Sequence, residues 1–383
     1  MDWLVVGGGP TGICAVGALL QRAGEAGFGR IGWVEKDSFD KIGRLSLYGS
    51  VPANTRNDRI VEAMESLDAF EFSRAQAARP SDSRLSTRPA HETSKLQFSI
   101  DALRDASRAI RSSGRLALCR DGLLLKKLSN DSGNLWTAET ASNESVSARR
   151  VILTTGGAPR PPASSFVERC EELHIQVLQH DDVVAPAMCD ALRESLPSRL
   201  AIVGGAHSGM LAAQNFLRTK EDDKKASVSV FDRKPRPRFA EERDGWIKYD
   251  GTGLKGTVAA WTRDSLESKD PRLSYETVPE THDDLLKVLV ERDIEAVVFC
   301  CGFDKVASPT VTFKNKPVDI ASPTAHDPRT GKLAPGLHGL GIAYPEFWTD
   351  QDGYTEPRVG FVCHYLQHID RALHQAIQDT AET

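Results

Sequence analysis

The chain has 383 residues, 40% of them hydrophobic and 26% charged, with a formal net charge of -5. That length exceeds what one hydrophobic core usually organises, so two domains are expected, and the composition is that of an ordinary globular protein rather than a disordered or fibrous one. The acidic balance argues against a nucleic-acid footprint, and no apolar run is long enough to span a bilayer, so neither nucleic acid nor membrane is an expected partner. Seven cysteines without a Cys-x-x-Cys pair suggest neither a disulfide framework nor a zinc ribbon, and no metal is expected. The first apolar run, Trp3 to Val6, leads straight into glycines, so no secretory leader is expected and the cytoplasm is the default location.

Residues 3 to 35 read as strand, glycine turn, helix and strand, a βαβ unit. In GGGPTG, Gly7, Gly9 and Gly12 satisfy G-x-G-x-x-G. The first glycine permits the tight turn, the second lets the backbone approach a pyrophosphate, and the third lets helix and strand pack closely. Pro10 and Thr11 open the helix, whose N-terminal N–H groups and partial positive charge suit phosphate. Glu35, followed by Lys36, stands about twenty residues on, where a carboxylate accepts both hydrogens of a ribose diol.

Residues 46 to 60 are turn-rich, and Arg74 to Lys95 reads as an irregular surface excursion. Ser99 is expected to cap a helix running to about Ser112, ended by Gly114. From Arg115 to Thr155 the segments LALC, LLLKKL, LWTAET and RRVILTT read as an inserted antiparallel meander. GGAPRPP, residues 156 to 162, makes a good linker.

A second βαβ opens at Arg199, with GGAHSG at 204 to 209. Gly204, Gly205, Ala206, His207, Ser208 and Gly209 align with the first turn, so the outer glycines persist while the middle one carries a methyl that crowds a pyrophosphate. His207 opens the second helix, touching a phosphate or simply tolerating the turn. The second strand ends Asp232-Arg233-Lys234. Asp232 as a ribose ligand would favour NADH, whereas Arg233 and Lys234 suit a 2′-phosphate; the reading leans to NADPH because charge-assisted hydrogen bonds are worth about 1.5–3 kcal/mol each. The first turn is then read as holding FAD and the second as holding the nicotinamide dinucleotide.

Other residues offer less. Cys300 and Cys301 are expected to pack as strand residues on opposite faces, Cys14 and Cys363 to lie in the core, and His364 and His368 to serve solvent or packing roles. His180 is as well read as a loop histidine as a functional one, and the lysine-flanked acidic run at 220–225 as a solvated helix end. Arg243 to Asp270, rich in Gly, Trp and Tyr, lines a pocket or docks a second copy in a homodimer, and the residues leave both open.

These motifs resemble the superfamily of pyridine nucleotide-disulfide reductases and NADPH-dependent flavin monooxygenases, over nearly the whole chain. GGGPTG with Glu35 looks like the FAD fingerprint. RRVILTTGGAPRPP, with Thr155 and Gly156, is similar to the junction that returns from the FAD domain, and EAVVFCCGF, with Gly302, to the later one, though Cys301 and Phe303 depart from it. LAPGLHGLGIA, with Gly341, looks like the strand that closes under the flavin.

The resemblance implies an α/β fold of two Rossmann-like dinucleotide-binding domains, the FAD domain carrying the meander. That domain would comprise residues 1–160 and 303–383, and the NAD(P)H domain residues 161–302. The disulfide reductase branch needs a cysteine pair beside the flavin, and none is present. Residues 35 to 56 look instead like the monooxygenase stretch, which implies that Gly43, Arg44 and Leu45 pass near the flavin and that Asn54 offers an amide to a C4a-hydroperoxide as the catalytic residue. The family's Phe-x-Gly-x-x-x-His-Ser-x-x-Tyr stretch is represented here by His180 alone. Gly360 and Phe361 would begin the final helix, about 359 to 377, against the flavin pyrimidine.

The implied activity is FAD-dependent and NADPH-driven, with molecular oxygen delivered to a small nucleophilic substrate. An NAD(P)H-dependent flavin reductase of a quinone or other small acceptor is the alternative, and a nucleotide-sensing flavoprotein without catalysis a third.

Overall fold

A computed structural model describes residues 1–306, 309–359 and 362–381. The chain divides into two units, one formed by Met1–Gly49, Thr55–Ala158 and Asp304–Thr383, the other by Ser50–Asn54 and Pro159–Phe303.

The first unit is built on a six-stranded sheet in the order Lys332–Ala334, Leu337–Gly339, Arg150–Leu153, Trp3–Val6, Ile31–Val34, Leu118–Arg120. Neighbours run parallel except for the first pair. Its central strands are buried along their whole length, as strands covered on both faces must be, which is why WLVV and RVIL read as continuous apolar runs. Trp3, Ile13, Val16, Trp33, Phe70 and Leu103 lie on one side of that sheet's core.

A five-stranded sheet of the same unit takes the order Lys316–Pro317, Thr310–Phe313, Leu125–Asn130, Trp136–Thr140, Ser145–Ala148. Its alternating burial, clearest in Trp136–Thr140, marks a sheet with one solvated face. Leu128, Trp136 and Ala138 pack from it onto Leu4, Val6 and Leu153 of the parallel sheet.

The second unit carries an all-parallel five-stranded sheet, Leu273–Thr277, Ser227–Asp232, Arg199–Val203, Ala296–Phe299, Gln176–Leu178. In each unit the strand that enters the glycine turn lies mid-sheet, between the strand that follows it and a much later one. Strand order reverses at such a point, so the helices leave on opposite faces and a crevice opens at the carboxyl ends of the strands.

Several expectations are corrected. The expected meander is split: Leu118–Arg120 and Arg150–Leu153 join the parallel sheet, while the three strands between them pair antiparallel in the second sheet, where Thr310–Phe313 adds parallel to Leu125–Asn130. Ser99 is not a cap; the helix is Leu96–Ser112, its N-cap is Lys95, and Ser99 is buried within it. The stretches read as turn and surface excursion overlap helices Asn57–Glu65 and Phe72–Ala78. Their polar sequence hides this because buried polar side chains supply the backbone partners: Gln76 Oε1 accepts the N–H of Leu85 at 2.7 Å and of Ser86 at 3.3 Å, and Asn57 Nδ2 donates to Pro89 O at 2.9 Å. The final helix runs Val362–Ala381; Gly360 and Phe361 lie outside the described residues, as does the Cys363 side chain. No helix among the described residues is long and apolar enough to cross a membrane.

Candidate functional site

The first turn follows strand Trp3–Val6 and opens helix Pro10–Gln21. Gly7 has φ +123°, and a Cβ there would lie 2.6 Å from Thr154 Oγ1. A Cβ at Gly12 would overlap the Gly7 carbonyl oxygen, so helix and strand approach as closely as backbone allows. At Gly9 the space is open: no atom lies within 4 Å of a Cβ position. Gly9 is the N-cap, no side chain caps the helix, and its first turn carries no acid. The N–H groups there are left for a ligand, and an anion is the ligand their dipole favours.

Around this turn the sequence-predicted residues assemble in part. Glu35 is buried and accepts the N–H of Gly8 with Oε2 and that of Asp37 with Oε1, the latter at 3.0 Å. Gly43 comes beside Gly9, its Cβ position 3.2 Å from the Gly9 Cα. Gly341 backs onto Thr11. Thr154 Oγ1 donates to Val6 O at 2.9 Å, while the neighbouring Thr155 Oγ1 is buried with no hydrogen-bond partner among the described residues. An unsatisfied buried hydroxyl beside an open anion cradle, next to Gly156, fits a polar ligand. Lys36 turns instead to Asp37, 2.6 Å away, Arg44 is exposed, and Leu45 packs on the core.

The second turn repeats the first. Gly204 has φ +104°, its Cβ position 2.5 Å from Cys300 O, and a Cβ at Gly209 would overlap the Gly204 carbonyl oxygen. Helix His207–Thr219 has neither a side-chain cap nor an acid in its first turn. Ala206 is its N-cap with φ -78° and ψ -167°, against -77° and -177° at Gly9. That extended conformation suits any residue, so the methyl leaves the turn's course unchanged. Asp232 Oδ2 accepts the N–H of Gly205 at 2.7 Å and Oδ1 that of Lys234 at 3.2 Å, the pattern of Glu35 in the first turn.

Ser208 follows His207 into the helix, half-buried. Burial and nearby Lys255 push the His207 imidazole down to about 4, so the ring is neutral at pH 7, with Nδ1 buried and lacking a hydrogen-bond partner among the described residues. Arg233 and Lys234 are exposed beside Asp232, and Gly302 is exposed past the end of strand Ala296–Phe299. Cys300 and Cys301 lie beyond that strand, not within it: Cys300 is buried, and Cys301 is exposed with Sγ 3.4 Å from Val203 O.

Asn54 lies in the second unit and is exposed. His180 is buried at the start of a short helix, edge-on to Phe303. His368 is buried in the final helix and His364 half-buried. No group of three or more His, Cys, Asp or Glu among the described residues could hold a metal ion. Sequence reading missed Phe39 and Tyr275, which pack under Gly8 and Gly205. It also missed the hydroxyl of Thr154. A threonine pair ahead of Gly156 is a visible signal for the last, but nothing local marks the other two.

No family model matches the chain. A monooxygenase, AgnR1 of Paecilomyces divaricatus, is 29% identical over 395 residues, covering 96% of each chain. Among solved structures, the ornithine hydroxylase PvdA of Pseudomonas aeruginosa superposes with a TM-score of 0.59 at 11% identity, over 99% of each chain. The bacillithiol disulfide reductase Bdr of Staphylococcus aureus gives 0.56 at 11% over 98% of this chain and 97% of its own. A flavin-containing monooxygenase of Stenotrophomonas maltophilia gives 0.54 at 14%, over 100% and 98%. With a glycine turn and strand-end acid at the switch point of each parallel sheet, the chain carries the fold of the two-dinucleotide-binding-domain flavoprotein superfamily.

Proposed function

We propose that the protein is an FAD-dependent oxidoreductase that takes hydride from NADPH and transfers one atom of molecular oxygen to a small nucleophile such as an amine or sulfide. The observation that carries this is the duplicated cradle: two uncapped helix N-termini, each with a carboxylate held at the end of the following strand. One dinucleotide site serves many chemistries; two in one chain suit a donor and an acceptor of reducing equivalents.

FAD fits the first cradle. The open space at Gly9 admits a pyrophosphate, Glu35 stands where a ribose diol would be held, and the orphaned Thr155 hydroxyl awaits a polar partner. Bound there, FAD supplies the acceptor for hydride and the carrier of electrons to oxygen. Gly204, Gly205 and Gly209 shape the second cradle for NADPH, with Arg233 and Lys234 exposed for its 2′-phosphate. The name of the curated relative, a monooxygenase alike over 96% of both chains, favours oxygen transfer over the plain flavin reductase. Asn54 is the proposed amide donor for the oxygen step.

The test is the visible spectrum of the purified holoprotein under anaerobic NADPH, followed by admission of oxygen. Bleaching of the flavin, then oxygen uptake coupled to product rather than to free peroxide, is expected. A protein that binds no flavin, or whose flavin NADPH does not bleach, overturns the proposal; bleaching with quantitative peroxide release moves it to the reductase.

A further inference from the structure

The two cradles match in backbone and in their strand-end acids, yet differ in what lies under the second residue of each turn, Gly8 and Gly205. Under Gly8 it is an apolar ring, Phe39, whose Cδ1 is 2.9 Å from a Cβ position at that glycine. Under Gly205 it is a phenol: Tyr275 Cε2 is 2.6 Å from the equivalent position and its hydroxyl is nearer still. Strand pairing explains the placement. Ser227–Asp232 runs parallel to Leu273–Thr277 with Val230 opposite Tyr275 and Asp232 opposite Thr277, so Tyr275 and Asp232 point to the same face of neighbouring strands, one pleat apart.

We propose that Tyr275 sets the coenzyme preference of the second cradle: by engaging Asp232 it turns the strand-end carboxylate from a ribose ligand into a brace of the turn, leaving Arg233 and Lys234 to take a 2′-phosphate. This rests on the reading that the second cradle holds a nicotinamide dinucleotide. Asp232 already accepts the N–H groups of Gly205 and Lys234, one on each oxygen. The Tyr275 hydroxyl lies against Gly205, whose N–H that carboxylate accepts, and on the same face of the sheet, which puts it in position to donate to Asp232. Burial, with the nearby Asp232 charge, pushes that phenol well above its ordinary range, so it remains a neutral donor.

A carboxylate surrounded by donors repels a neighbouring phosphate less than one facing solvent, and it has less acceptor capacity for a diol. Aspartate is also shorter than Glu35 by one methylene, which holds it back at the turn. Tyr275 acts through Asp232 and is a positioning residue.

The experiment is calorimetric titration of the flavin-loaded Tyr275→Phe, Asp232→Asn and double variants with NADPH and with NADH, the visible spectrum confirming flavin content. In Tyr275→Phe the NADPH-over-NADH preference is expected to fall about tenfold, the worth of one charge-assisted hydrogen bond. In the Asp232→Asn background the same change is expected to leave the preference unmoved. Equal weakening of both coenzymes, an unchanged preference, or a shift that persists without the Asp232 charge overturns the proposal while leaving the coenzyme site standing. Wild-type protein that binds neither coenzyme overturns the reading of the cradle and this inference with it.

Discussion

Gly341 lies so close to Thr11 that a Cβ on it would stand 3.1 Å from the Thr11 Cβ and nearer to its hydroxyl. The segment after strand Leu337–Gly339 thus closes directly on the helix terminus of the first cradle. Gly341→Val would drive that terminus away from the strand. We expect flavin occupancy to fall at least tenfold, read as the ratio of flavin to protein absorbance, with the melting temperature lowered by a few degrees, as for about 1–3 kcal/mol of overpacking.

Gly9 and Gly12 separate binding from folding. The Cβ of Gly9→Val enters open space and the residue keeps an extended backbone, so the apoprotein should stay within about 1 kcal/mol of wild-type stability while remaining colourless. Gly12→Val strikes the Gly7 carbonyl and should lose the fold itself. Yellow, FAD-loaded Gly9→Val protein would sink the placement of the cofactor.

Arg233→Ala removes an exposed cation beside Asp232. NADPH affinity should drop about tenfold with NADH affinity little changed, as expected for a charged contact to a 2′-phosphate. Equal losses in titrations with the two coenzymes place that phosphate elsewhere.

Asn54→Ala is expected to leave flavin content and anaerobic reduction by NADPH intact while at least doubling the peroxide released per NADPH oxidised. Unchanged coupling, measured by product against peroxide, removes Asn54 from the oxygen step.

Acid stability follows from buried histidines around the final helix. Burial pushes His326 and His338 below the ordinary imidazole range, and His368, with Arg371 adding repulsion, down to about 3. Each is neutral when folded and binds a proton more readily when unfolded. Their contribution is therefore whole above about pH 6.5 and is lost as pH falls below it, by up to about 1.4 kcal/mol per pH unit for each histidine. Urea unfolding at pH 7.5 and 5.5 should show this fall, and His368→Asn should reduce it by one histidine's share. The same pH dependence in that variant would count against the assignment.

Much of the first cradle was legible because its determinants are local. Gly7, Gly9, Gly12 and Glu35 fall within one βαβ unit, where spacing alone fixes turn, helix start and strand end. Gly341 and Thr155 were legible only through resemblance, since their neighbours in space are more than a hundred residues away in the chain. The helices Asn57–Glu65 and Phe72–Ala78 were misread because buried Asn57 and Gln76 supply partners that a polar sequence does not advertise.

By itself the sequence determined that two glycine turns open two helices, that Glu35 and Asp232 end the strands beyond them, and that the chain has the size and composition for two domains. Periodicity and turn chemistry act over a few residues, so those features are written in adjacent letters. Tertiary structure decided which later strands flank each turn, that Leu118–Arg120 and Arg150–Leu153 belong to the parallel sheet, and that a phenyl ring underlies one turn and a phenol the other. Such choices are made by pairing and packing between distant segments, whose register is set by which side chains a buried face must take.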